Sequence, residues 1–165
     1  MALGVRHMAW AALACALAGN AAAGGAHPAV TAFTTYCFKA GQTAEQARAN
    51  MQSVAGVPLP FALTFWDTSL EPAPTAPAHA ERRCEVQFDG DMPAALRAVQ
   101  AKMATPPVFG TPIPLPAPYA PEAGTAYIEG RELLRGRVAV VHIGTRGTQT
   151  FIGVDRLPAG MGLPE

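Results

Sequence analysis

Charged side chains are scarce in this chain, at 15% of 165 residues, and the two signs cancel to a formal net charge of zero. A nucleic-acid binder needs a basic face or stripe, so this composition argues against such a partner. Catalytic signatures are missing as well. Beyond the N-terminal segment the only serines are Ser53 and Ser69, and neither sits in a Gly-x-Ser-x-Gly elbow. There is no Gly-x-Gly-x-x-Gly, no Walker loop and no His-Glu-x-x-His helix, so no cofactor is implied. No later apolar run is long enough to span a bilayer, which excludes a transmembrane segment from the reading. Lysine is limited to Lys39 and Lys102, and the ten remaining basic residues are arginine. With abundant alanine, glycine and proline, that bias suggests a GC-rich bacterial genome.

What is present at the start has the layout of a secretory signal peptide. Arg6 and His7 form a basic start, Met8 to Ala18 is apolar, and Asn20-Ala21-Ala22-Ala23 supplies small residues for cleavage after Ala23 or Gly24. A buried N-terminal helix is the alternative. A lipid anchor at Cys15 is disfavoured, because Ala12 replaces the large aliphatic of a lipobox and the apolar run continues past the cysteine. Without residues 1–23, eleven basic and twelve acidic side chains remain, and residues 24–165 suit a single domain. The expected location is the periplasm, or outside the cell.

That location bears on the two remaining cysteines, Cys37 and Cys84. An even pair in an oxidising compartment reads as a disulfide. Two buried free thiols are the alternative. A metal site is disfavoured, since there is no Cys-x-x-Cys and His27, His79 and His142 show no ligand spacing.

Periodicity predicts three helices. Pro28 suits a first turn, and Val30, Phe33 and Cys37 recur at helical spacing. Thr43-Ala44-Glu45-Gln46 has the form of a capping box, with Ala44, Ala47, Met51 and Val54 on one face and Gly56 as the stop. Asp91 is expected to cap a third helix running to about Met103, with Leu96 and Val99 inward. Residues 61–66 read as a short strand or a buried loop. Arg83 to Phe88 alternates as a half-buried strand with Cys84, Val86 and Phe88 inward, so the disulfide should pin the first helix to it. Residues 67–80 and the seven-proline stretch 105–122 read as extended loops, the latter a stiff connector or a partner-binding strip.

The C-terminal part reads as a three-stranded meander over 125–134, 137–144 and 148–157, turning at Arg135-Gly136 and Arg146-Gly147. Turns centred on those pairs place Glu129 opposite His142 and His142 opposite Phe151. They also set Arg131 against Val140 and align Leu133, Val138 and Asp155. The core face then collects Ile128, Leu134, Ala139, Val141, Ile143, Ile152 and Val154. The expected fold is α+β, one middle strand plus this meander, with about three helices on one face.

The order Val30-x-x-Phe33-x-x-x-Cys37, Gly56-Val57-Pro58-Leu59-Pro60, Trp66 and Cys84-Glu85-Val86-Gln87-Phe88 resembles a family of small exported proteobacterial proteins with two cysteines. The resemblance covers roughly residues 28–103. It implies export and the cysteine pair, and it carries no catalytic residues.

The nearest approach to chemistry is His142 with Glu129, near Arg131 or Asp155. A carboxylate that orients a histidine serves general acid–base catalysis, and equally satisfies a half-buried imidazole. No nucleophile accompanies the pair, so the expected role is non-catalytic, binding a protein or small-molecule partner. A small hydrolase-like enzyme using His142 and Glu129 is the alternative.

Overall fold

Pro28 pre-sets the first turn of α1 (Pro28–Tyr36), while His27 caps it by accepting from the Ala29 N–H through Nδ1 at 3.1 Å. In this computed structural model the described residues are 26–73, 79–117 and 119–161, so the expected leader, Cys15 and the centre of the 67–80 loop lie outside them. The capping box before α2 (Ala44–Ala55) forms in full, with the Thr43 side chain accepting from the Gln46 N–H and the Gln46 side chain accepting from the Thr43 N–H. Gly56 ends that helix at φ 90°. Asp91 precedes α3 (Met92–Ala104) but makes no capping hydrogen bond, and Pro93 occupies the first turn. The three helices supply Phe33, Met51, Val99 and Met103 to one core.

Residues 61–66 resolve as a strand, β1 (Ala62–Asp67), paired with β2 (Arg82–Phe88). Three residues of the proline-rich stretch form β3 (Thr111–Ile113), within an extended segment expected to be mostly without ladder hydrogen bonds. Pro112 has no N–H, and an edge strand tolerates that. The meander follows as β4 (Thr125–Glu132), β5 (Val138–Arg146) and β6 (Gln149–Arg156). All six strands form one antiparallel sheet in the order β1-β2-β6-β5-β4-β3. This α+β architecture carries its helices on one face, over Cys84, Val86, Phe88, Val141, Ile143, Ile152 and Val154.

Cys37 and Cys84 are bonded, with Cα atoms 5.4 Å apart, and the link ties the end of α1 to β2. Beside it the Arg82 guanidinium donates to the Cys37 and Lys39 carbonyls, which α1 leaves without intrahelical partners. Burial pulls the Arg82 pKa down to about 10, with Asp67 opposing that shift and Arg156 adding to it.

Along β2 the outward Arg83 and Gln87 are half-buried, as the alternation predicts, but Glu85 between them is buried at 4% exposure. The second face is covered by Tyr119, Leu115 and Met161, which pack with Val138, Val140 and Leu157. The proline-rich segment therefore covers part of this face, and its seven prolines reduce the number of backbone N–H groups to be satisfied there.

Register is where the structure departs most from the sequence. The first hairpin turns over three residues, Leu134 to Gly136, with the Leu133 N–H donating to the Arg137 carbonyl at 2.6 Å. Ile128, not Glu129, therefore stands opposite His142; Glu129 stands opposite Val141, and Arg131 opposite Ala139. Side chains alternate along a strand, so this one-residue shift sends Glu129 and Arg131 to the helix face and Ile128 to the second face. Leu134, expected in the core, is 86% exposed at the turn, and Leu133 packs against the core instead. The second hairpin pairs Arg146 with Gln149, which sets Gly153 opposite His142, Phe151 opposite Gly144 and Asp155 opposite Val140. That shift is even, and the faces of β5 and β6 survive it.

Candidate functional site

Two groups of polar side chains stand out. The first surrounds His142 on the second face. Glu85, Gly153 and His142 occupy one row across β2, β6 and β5. Because Gly153 has no side chain, the imidazole lies over it; a Cβ there would fall 2.2 Å from Nε2. Phe151 packs beside the ring, with centroids 5.9 Å apart. Gly124 crosses Gly144 so closely that a Cβ on Gly144 would meet its carbonyl at 2.2 Å, and this crossing brings Glu122 over the sheet.

Arg146 then spans the cluster. It lies over the Phe151 ring and donates to both oxygens of Glu85 at 2.6 and 3.0 Å, and to both oxygens of Glu122 at 2.8 and 2.6 Å. These paired bonds raise the Arg146 pKa and lower that of Glu122. One row away, Asp155 accepts two bonds from Arg83 and one from the Tyr119 hydroxyl, each at 2.7 Å. Burial opposes charging of Arg83, but the bonds to Asp155 prevail and raise its pKa. Tyr119 is pushed up by burial first and by Asp155 second.

Within this network His142 is 2% exposed, and its Nε2 has no hydrogen-bond partner. The Asp155 carboxylate is the nearest acid in the ion-pair geometry, at 4.0 Å. Burial lowers the His142 pKa against the pull of Asp155 and Glu85, so the ring is neutral at pH 7. The expected partner Glu129 is on the other face, bonded to the Tyr127 hydroxyl and 2.5 Å from Arg131. Donor atoms of Glu85, Glu122 and His142 lie within 4.8 Å of one another, a spacing a divalent ion could bridge. The Arg146 guanidinium already serves both carboxylates, so a metal would have to displace it. Sequence spacing could not have grouped these three residues, which come from three separate segments.

The second group lines a cleft of about 960 Å³ at the helix ends. Its walls are the ends of α1 and α3, the crossing segment 107–111 and the tip of the β4–β5 hairpin. Phe38 and Phe109 meet at 4.5 Å between centroids on its floor, and Leu133 joins them. Arg131 holds the crossing segment in place by donating to the Phe109 and Gly110 carbonyls at 3.3 and 3.4 Å. Around the rim stand Lys39, Lys102, Arg135 and Arg137, against a single carboxylate, Glu132. None of these four cations forms a salt bridge among the described residues. Arg135 adopts the left-handed region at φ 64°, which a non-glycine residue adopts at a cost.

Sequence reasoning read Arg135-Gly136 only as a turn and segment 105–122 only as a connector or strip. The available signal was composition: both lysines of the chain and a Leu-Leu-Arg-Gly-Arg run converge here. Neither this cleft nor the smaller one of about 290 Å³ between α2 and β1 touches His142. Comparison with protein-family models, with curated proteins and with solved structures gives no match to this chain.

Proposed function

We propose that this is an exported, non-catalytic binding protein of the bacterial periplasm, akin to the small two-cysteine exported proteins it resembles, and that the cleft at the helix ends is its binding site. The observation that carries the reading is the cleft itself. Its volume lies within the ~300–1,000 Å³ typical of small-molecule sites, and it joins an apolar floor to a few convergent polar groups. The disulfide fits an exported location. Geometry weighs against the hydrolase-like alternative, because His142 is buried beside Phe151 and Glu129 lies across the sheet from it.

The test uses a neutral apolar fluorophore, N-phenyl-1-naphthylamine, with the full chain expressed with its own N-terminus. Saturable fluorescence enhancement is expected, lost in Thr34→Trp, which fills the cleft, and kept in His142→Gln. No saturable binding, or binding that Thr34→Trp leaves intact, would overturn the assignment.

A further inference from the structure

Resting on that reading, the chemistry of the cleft narrows what it takes. We propose that its ligand is a single-chain amphiphile with an anionic head group, the tail lying on Phe38, Phe109 and Leu133 and the head held by Lys102, Arg135 and Arg137.

Three observations converge on this class. The first is how the chain distributes its cations. Arg82, Arg83, Arg131, Arg146 and Arg156 are each committed to a carboxylate. Of the six other described basic residues, only Arg48 and Arg97 lie outside this cleft. A rim of four cations and one carboxylate is an attractive field for an anion, and low-dielectric walls focus it. The second is the apolar surface left uncovered. Val108 at 55% and Leu134 at 86% exposure stand at the lip of a floor that is itself aromatic and aliphatic. A compact anion such as phosphate would leave that surface wet, whereas a tail would cover it. The third is Arg135. Its left-handed backbone is one that glycine adopts without penalty, and glycine is the usual residue at such a turn position. A guanidinium held there aims charge at the cleft mouth at the expense of backbone strain, a pattern associated with binding sites.

The head group is named by its charge. Carboxylate and phosphate both accept the forked donors of arginine, and the rim provides two arginines and two lysines for either.

The experiment is calorimetric titration of the full chain with a ten-carbon series below micelle formation: decanoate, decyl phosphate, decyl maltoside and decyltrimethylammonium. The anionic members should bind about tenfold tighter than the neutral one, the effect of one or two exposed ion pairs, and the cationic one weakest. Added salt should shrink that preference. Lys102→Glu with Arg137→Glu should abolish it while leaving the neutral amphiphile bound. Arg135→Gly should raise the unfolding midpoint yet weaken the anions, a combination that a purely structural arginine does not give. Equal binding of all four amphiphiles would overturn the anionic assignment and leave the cleft as a binding site. Binding of none would overturn both. An acidic peptide, hexaglutamate, that binds tighter than decanoate and is not displaced by it would replace the amphiphile by an acidic protein segment.

Discussion

Arg83 and Arg146 lie on the sheet face away from the helices, and each is forked onto carboxylates in a partly or wholly buried network. Lys39, Lys102, Arg135 and Arg137 gather at the helix ends around a cleft, and no described carboxylate bridges to them. The same residue types thus do two different jobs. Buried cations must be paired or the fold loses stability; cations on an open rim need no partner and stay available to a ligand. The His142 network is closed by its own carboxylates, whereas the cleft leaves its cations unpaired and open to solvent.

The sharpest way to break this contrast is to remove a partner from the closed side. Asp155→Ala leaves the Arg83 guanidinium and the Tyr119 hydroxyl without their acceptor, and should lower stability in urea by about 3–5 kcal/mol. A loss below about 1 kcal/mol would mean that the network carries no structural weight.

A smaller effect is expected at the row that holds His142. Gly153→Ala sets a Cβ into the imidazole and should cost about 1–3 kcal/mol by overpacking. Combining it with His142→Ala removes the clash, so the double variant should be more stable than the two single losses predict. Strict additivity in that cycle would place the ring elsewhere.

Acid titration sharpens the same point more gently. The folded His142 pKa lies below its unfolded value, near 6.5, so the unfolded chain takes up the proton first. The stability this contributes is fully present above pH ~6.5 and is lost as pH falls through that value towards the folded pKa. His142→Gln should flatten this part of the stability profile, measured as the difference from wild type between pH 7 and 5.5.

Helices and sheet class were legible in the sequence because their causes are local, and the disulfide because the two cysteines had no other partner. The capping box at Thr43, the glycine stop at Gly56 and the alternation around Cys84 each act within a few residues. Register was not legible, because the turn at Leu134–Gly136 holds three residues rather than two, and one extra residue moved Glu129 through the sheet. The His142 network was hidden for a different reason. Glu85, Tyr119, Glu122 and Asp155 meet only because the proline-rich segment folds back over the sheet, and nothing in its composition specifies where it lands. The cleft lay in plain residues, two lysines and a Leu-Leu-Arg-Gly-Arg turn, but it needs four separate segments to become a site.

The smallest stability effect is expected on the open side. Arg137→Glu breaks no described ion pair and should change urea stability by no more than about 0.5 kcal/mol. Lys102→Glu reverses a favourable charge in the last turn of α3 and should cost about 1 kcal/mol. A loss comparable to that of Asp155→Ala would erase the distinction between the two groups.

The central claim, that binding belongs to the cleft and not to the histidine, is tested most directly by backbone and side-chain NMR during titration of the full chain with decanoate. Saturable shifts should gather at Phe38, Lys102, Phe109 and Leu133 to Arg137, while His142, Phe151 and Asp155 stay unmoved. Shifts centred on His142 and Phe151, with the cleft silent, would contradict the account.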